Sequence, residues 1–324
     1  MVYARGLPSD YDRWRLMGNE GWAFEDCLPY FKRLESFAGP DSEYRGKDGP
    51  MQIGEVPEPS PGCRAFVEAC VKLGFTRNRD NNGEWFEGVA PNQLNVHRGR
   101  RWSPAVAYLR PALKRPNLRV ETERLGQRIL IENGRAVGVR IRQGRSTRTI
   151  RARRAVILSG GAFGTPQILM LSGIGPADHL KAHGIDVVVD RPAVGADLQD
   201  HIDYVASFQT DGDVFNGTTL SASIRFLKSV FQWRSKRTGT LTTPYAEAGG
   251  FAKTRPDVAV PDVQFHFVPA MLEDHGRESV SGVGYSIHVC VLRPESRGTV
   301  RLASADPMAA PLIDPNFLDD DRDL

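Results

Sequence analysis

Hydrophobic positions along this chain follow two rhythms, and the first is helical. Phe24, Leu28, Phe31 and Leu34 recur every three or four residues, which predicts an amphipathic helix from Phe24 to Glu35. A second helix is predicted from Arg64 to Leu73, with Phe66 and Cys70 on its apolar face and Gly74 as its stop. Ser103-Pro104 is expected to cap a third that runs through Leu113, before Pro116-Asn117 breaks away. Ile224, Leu227 and Phe231 mark another amphipathic helix, ending in Arg234, Lys236 and Arg237.

The second rhythm is extended. Leu118–Glu121, Arg128–Ile131 and Ala136–Ile141 read as strands, with Asn133-Gly134 as the hairpin turn. They lead into the apolar run Ala155–Leu158, predicted as a buried strand of a parallel sheet. Val263–Val268 alternates with period two, Tyr285–Leu292 does so in part, and with Gly298–Leu302 they suggest an antiparallel sheet. Gly39-Pro40, Gly49-Pro50, Pro57 and Pro59 punctuate Gly39–Ser60, which is expected to be a lid or interface segment rather than core.

Composition narrows the function classes more than the fold. The 324 residues are ample for about two domains with a core. A formal net charge of +3 is too small to argue for nucleic acid, and none is expected as a partner. The cluster Arg140, Arg142, Arg145, Arg148, Arg151, Arg153 and Arg154 reads as the solvated face of a hairpin, because no aromatics are interleaved. Cys27, Cys63, Cys70 and Cys290 form no Cys-x-x-Cys and no zinc spacing, and Cys70 is expected in the core. His179 and His183 stand four apart near a helix C-terminus without an acidic third ligand, so no metal is expected. Nothing reads as a signal peptide or a membrane span, and the expected location is the cytoplasm. A homo-oligomer is left open.

The candidate chemistry sits just after Ala155–Leu158. An aliphatic run ending in Ser159-Gly160-Gly161 predicts a sharp turn beneath something the backbone must approach closely. Thr165-Pro166 is expected to open the following helix, with Thr165 as N-cap and Pro166 at the first helical position, and Ser172-Gly173 to close it. Strand, glycine turn and helix N-terminus together suit a cofactor at the carboxyl edge of a parallel sheet.

The stretch Gly161–Gly175 also resembles the second signature of the glucose–methanol–choline (GMC) oxidoreductases: Ala162, Thr165-Pro166, Ile168-Leu169 and Ser172-Gly-Ile-Gly175 all fit. Further blocks lie in the family's order. Met1–Gly6 with Pro8–Trp14 resembles the tail of its first signature, and Gly99–Ser103 with Ala107–Pro111 resembles the first crossover between its domains. Val194–His201 is similar to the family's Val-Gly-x-Asn-Leu-Gln-Asp-His, with Asp197 in place of Asn; Leu292–Leu302 and Ile313–Leu318 match later blocks.

The resemblance implies an α/β fold, α+β overall: a partial FAD/NAD(P)-binding Rossmann-like domain interleaved with an antiparallel-sheet substrate domain. It implies a partial FAD-domain tail and lid over 1–60, a helical substrate-domain segment over 61–115, an FAD-binding segment over 116–202 and the substrate-binding sheet over 203–324. It implies FAD as cofactor, with Met1, Val2, Gly126, Ser159, Gly160, Gly161 and Ala162 as its contacts, Gly126 standing where an aliphatic residue is usual. The small-molecule partner would be an alcohol, oxidised at its CH–OH group as in bacterial choline-dehydrogenase-like members. No Gly-x-Gly-x-x-Gly follows an N-terminal strand, and the family's His-Pro-x-Gly-Thr block with its catalytic histidine is absent. No catalytic residue is therefore expected here, His201, His266 and His288 included, and the chain is expected to be inactive by itself. Two alternatives stay open: an FAD-containing enzyme of the hydroxynitrile-lyase kind, or a non-catalytic fragment or pseudoenzyme.

Overall fold

The structure is a computed structural model and describes residues 1–211, 215, 217–272 and 280–324. Its principal elements in chain order are α1 (Pro8–Leu16), α2 (Phe24–Leu34), α3 (Pro61–Lys72), β1 (Gly88–Pro91), β2 (Leu125–Glu132), β3 (Arg135–Gln143), β4 (Ser146–Arg151), α4 (Gly161–Leu171), α5 (Ala177–Ala182), β5 (Asp203–Gln209), α6 (Leu220–Lys236), β6 (Ala248–Ala252), β7 (Val263–Val268) and β8 (Gly284–Val291). They divide into two compact units, Met1–Leu118 with Asp203–Leu292, and Arg119–Ile202 with Arg293–Leu324.

The first unit is built on an antiparallel sheet in the order β5-β8-β7-β6-β1. The period-two pattern of β7 turns Phe265 and Phe267 to one face, where Val67, Cys63 and Cys70 of α3 cover them and Phe66 stacks on Phe267 at 5.2 Å. Helix α3 starts where Ser60 accepts a hydrogen bond from the Cys63 N–H, the N-cap that fixes its first turn. Cys70 is buried, as expected.

Gly39–Ser60 departs from the lid expectation. It contains a strand, Met51–Glu55, that pairs with Glu35–Phe37 and with Gln93-Leu94, and Met51 and Ile53 are core residues. The proline and glycine punctuation is real, but the alternation of Met51 and Ile53 lets five residues enter a sheet.

Behind this small sheet lies a buried ionic knot. Glu35 receives Arg5 Nη2 at 2.7 Å and Arg45 Nε at 2.9 Å, and Arg45 reaches Asp80 at 2.5 Å. Burial works to raise the Glu35 carboxyl's pKa; the Arg45 hydrogen bond, the Gly46 N–H and both arginine charges outweigh it and hold the group below its usual value.

The second unit carries the hairpin β2-β3 turning at Asn133-Gly134, extended by β4 into a three-stranded antiparallel sheet. Strand β4 was not foreseen from the sequence, because its polar, arginine-rich residues show no buried face. Six of the seven clustered arginines are exposed along β3, β4 and the segment after them, and Arg142 is half-buried. Met170 of α4, Leu180 of α5 and Leu302 form this unit's core.

Four local expectations are corrected. Gly298–Leu302 does not join the sheet of β7 and β8; Thr299–Arg301 pairs antiparallel with Leu312–Asp314 in a separate two-stranded sheet of the second unit. Leu118–Glu121 is not a strand; Glu121 is instead held by Arg119, Arg124 and Arg148. The Ser103–Leu113 helix is irregular, with a wide π turn over Ala105–Leu109 before Arg110–Ala112. Ala155–Leu158 forms no strand and is unpaired among the described residues, and Ile157 is 87% exposed. A strand needs a ladder partner for its N–H and C=O groups, and no described residue supplies one there.

Candidate functional site

Helix α4 begins four residues before the Thr165-Pro166 pair that was expected to open it. The reason lies in the turn. Gly161 has φ +71°, a conformation that L side chains resist, and the Gly164 N–H already bonds to the Gly160 carbonyl. Thr165 still acts on the helix start, but from inside: its hydroxyl accepts the Gly160 N–H at 3.1 Å. Pro166 sits in the helix interior and forgoes one ladder bond. The outcome is a helix N-terminus whose first N–H groups lie beyond the reach of intrahelical acceptors.

That N-terminus borders a cleft of about 360 Å³ within the second unit. Ala162, Thr165, Pro166 and Leu169 form one wall, and Val194–Gln199 with Val300 form the other. The second wall holds its shape through close backbone contact. A Cβ at Gly195 (φ +74°) would stand 2.1 Å from the Val300 carbonyl oxygen, the Val300 N–H donates to the Gly195 carbonyl at 2.7 Å, and Arg301 donates to the Val194 carbonyl at 3.0 Å. Asp197 adopts φ +55°, the left-handed region that Asn tolerates best, which explains why Asn is usual at this place in the resembling motif.

Of the residues assigned from sequence, Ser159, Gly160, Gly161 and Ala162 come together at the helix start, and all four are exposed. Gly126 lies on β2, where a Cβ would stand 3.2 Å from Ile168 Cδ1 of α4, so the bare glycine lets strand and helix approach. Met1 and Val2 belong to the first unit, where Val2 bridges to Leu94. Val194–Gln199 were not assigned as site residues, although their motif had been recognised; a glycine and an Asn-like position two apart were the signal that this loop is conformationally fixed. A larger cavity of about 600 Å³ runs along Gln127–Glu132 and Ser172-Gly173, but none of the sequence-assigned residues lines it. Of the sequence-assigned residues, Ala162 lines the smaller cleft, which makes that cleft the candidate site.

The histidines fall in different settings. His179 Nε2 accepts the Leu302 N–H at 3.1 Å, and its pKa is lowered by burial, by His183 and by Arg301. His201 is exposed, with its N–H on Asp200 Oδ1 at 2.9 Å. In the first unit, His266 and His288 are cross-strand partners on β7 and β8, and His288 Nδ1 lies 2.7 Å from Asp203 Oδ2. Burial, then the neighbouring His288, lowers the His266 pKa against the opposing pull of Asp203.

The fold is a mixed α/β chain rich in antiparallel strands, with a glycine-opened helix start beside a cleft. The family model for GMC oxidoreductases matches residues 1–203, and the chain belongs to that family. It is 43% identical over 325 residues to the oxygen-dependent choline dehydrogenase of Brucella anthropi, covering all of this chain and 58% of that protein. It is likewise 43% identical over 329 residues to the human mitochondrial choline dehydrogenase, covering 54% of it. An FAD-dependent oxidoreductase from Chaetomium thermophilum shares the fold at a TM-score of 0.87 and 26% identity, over all of this chain and 64% of that one. The chain thus spans a little over half the length of the curated relatives it matches. The family is one of oxidoreductases, its cofactor is FAD, and the lyase alternative finds no support among these relatives.

Proposed function

We propose that this chain forms part of an FAD-dependent oxidoreductase that oxidises the CH–OH group of a choline-like alcohol. The observation that carries the cofactor half of this reading is the open start of α4 on its cleft: Gly161 in a left-handed conformation, with nothing within 4 Å of a Cβ built at Gly161 or Gly164. Such a start offers backbone donors and the positive end of a helix to an anionic dinucleotide. The donor set fits FAD, because the only carboxylate in the cleft lining belongs to the exposed Asp197. The alcohol half rests on the choline dehydrogenases that this chain resembles along its whole length.

Ser159–Ala162 would hold the cofactor through their backbone, and Gly126 would keep β2 close behind α4; Met1 and Val2 are candidates on the resemblance alone. The chemistry FAD supplies is acceptance of a hydride from the carbinol carbon. Val194–Gln199, pinned to Val300 and Arg301, would wall the cleft and limit water. We assign no proton-transfer step to a residue of this chain.

The reading is tested by anaerobic mixing of choline with the FAD-loaded enzyme of which this chain forms part. Loss of the oxidised flavin absorbance is expected; an unreduced flavin with choline and with simple primary alcohols overturns the assignment. Binding is tested apart from turnover by Ala162→Asp. A carboxylate in the first turn favours the helix yet opposes an anionic ligand, so FAD affinity should fall about tenfold or more while the melt is unchanged.

A further inference from the structure

Helix α6 is amphipathic. The predicted stripe of Ile224, Leu227 and Phe231, which Leu220 extends by one turn, points outward: these side chains are 46%, 68%, 74% and 79% exposed. At about 100° per residue, the opposite side of the helix carries Ala222, Arg225, Ser229 and Trp233. That side holds the helix to its unit. Ala222 is buried, Arg225 donates to the Phe215 carbonyl at 2.8 Å, Ser229 accepts from the Thr240 hydroxyl at 3.0 Å, and Trp233 Nε1 donates to the Gly99 carbonyl at 2.6 Å. A Thr219 N-cap and a left-handed Arg237 define the two ends. The outward orientation is therefore set by specific bonds on the inner face.

An apolar stripe exposed over three turns of helix marks an interaction surface. Its charge tells what kind. The helix contains Arg225, Lys228, Arg234 and Lys236 and no acidic residue, with Lys228 on one flank of the stripe and Arg234 on the other. Pairing this face with itself about a two-fold axis would bring the cations of one helix against those of its copy, without a carboxylate on either helix to offset them. A surface of lipid phosphates would meet both features at once. No helix among the described residues is long and apolar enough to cross a membrane, so contact of this kind would lie along the surface.

We propose that the outward face of α6 docks on an anionic lipid surface, with Leu220, Ile224, Leu227 and Phe231 entering the boundary between headgroups and acyl chains and Lys228 and Arg234 meeting lipid phosphates. The anchoring bonds of Arg225 and Trp233 fix the depth at which the rest of the first unit stands off the surface.

The test is flotation of the purified protein with vesicles of phosphatidylcholine alone and of phosphatidylcholine with about one third phosphatidylglycerol. The protein should float with the anionic vesicles only and leave them as salt is raised. Leu227→Glu with Phe231→Glu should lower partitioning by about tenfold or more. Lys228→Glu and Arg234→Glu should each lower it about fivefold. All four side chains stand in water, so thermal melts should not move; if the double variant does melt differently, Leu220→Glu in the first turn reads the same face. Equal binding to neutral vesicles, no binding to either kind, or retained binding after loss of the stripe overturns the proposal. A dimer in solution that the Leu227/Phe231 variant splits would assign the face to a second copy and overturn it as well.

Discussion

Two segments of this chain, Val263–Val268 and Ala155–Leu158, both predict strands, the first by period-two alternation and the second as a continuous apolar run, and they end differently in structure. The first became β7, bonded on both sides by β6 and β8 and covered by α3. The second has no ladder partner among the described residues, and Ile157 stands in water. Hydrophobicity alone therefore did not make a strand. What made one was a pair of neighbours able to take its backbone hydrogen bonds, together with a helix to cover its side chains. The contrast runs through the molecule. The first unit closes its polar groups inward, in the Glu35 knot and the α3-covered sheet, whereas the second presents glycines, a helix start and arginines to solvent.

The comparison can be broken at several points. The largest effect is expected at Glu35. Glu35→Ala leaves the Arg5 and Arg45 guanidiniums buried without their shared carboxylate, and urea unfolding should show a loss of about 3–5 kcal/mol. Because the folded carboxyl titrates below its unfolded value, its contribution is complete above the ordinary value of 4.5 and lost as pH falls through the lower folded one. Acid unfolding of the parent should thus steepen below that value, and in the variant this part of the pH dependence should vanish.

Phe267→Ala comes next, removing a buried ring from beneath α3 at a cost of about 3–4 kcal/mol by the same measurement. A smaller loss there than for Ser60→Ala, the α3 N-cap, at about 1 kcal/mol, would mean that the sheet and helix do not share one core. His266 gives a subtler signal. Its folded pKa lies below the unfolded 6.5, so below that pH the unfolded chain binds more protons and stability falls as pH is lowered toward the folded value. His266→Gln should flatten the stability profile in that window. The smallest effect is expected at the exposed run: Ile157→Ser should change stability by no more than about 0.5 kcal/mol. A larger loss would show that Ala155–Leu158 is held by packing after all.

Much of the local structure was legible in the residues. The helical spacing of Phe24–Leu34, the Gly74 stop after α3 and the Asn133-Gly134 turn each encode their outcome through one or two dihedral preferences or a single apolar stripe. The glycine turn after Leu158 was recognisable as a place of close backbone approach, and α4 does start there. The start moved from Thr165 to Gly161 because a hydroxyl inside the helix, rather than before it, took the Gly160 N–H. The opposite wall of the cleft was harder to see. Val194–Gln199 meets α4 only because Arg293–Leu324 returns to the second unit and lays Val300 against Gly195. That contact joins residues about a hundred positions apart, which no window of sequence contains.

The sequence by itself determined the family pattern, several of the helices and strands, the Asn133-Gly134 hairpin and the glycine-opened turn. Those are properties of short stretches, set by side-chain branching, spacing and the missing Cβ of glycine. Tertiary structure alone decided which apolar runs gained a ladder, which face of α6 turned outward, and that Glu35 would gather two arginines out of water. Each of these depends on a partner distant in the chain, and burial, charge pairing and backbone satisfaction are settled only when that partner arrives.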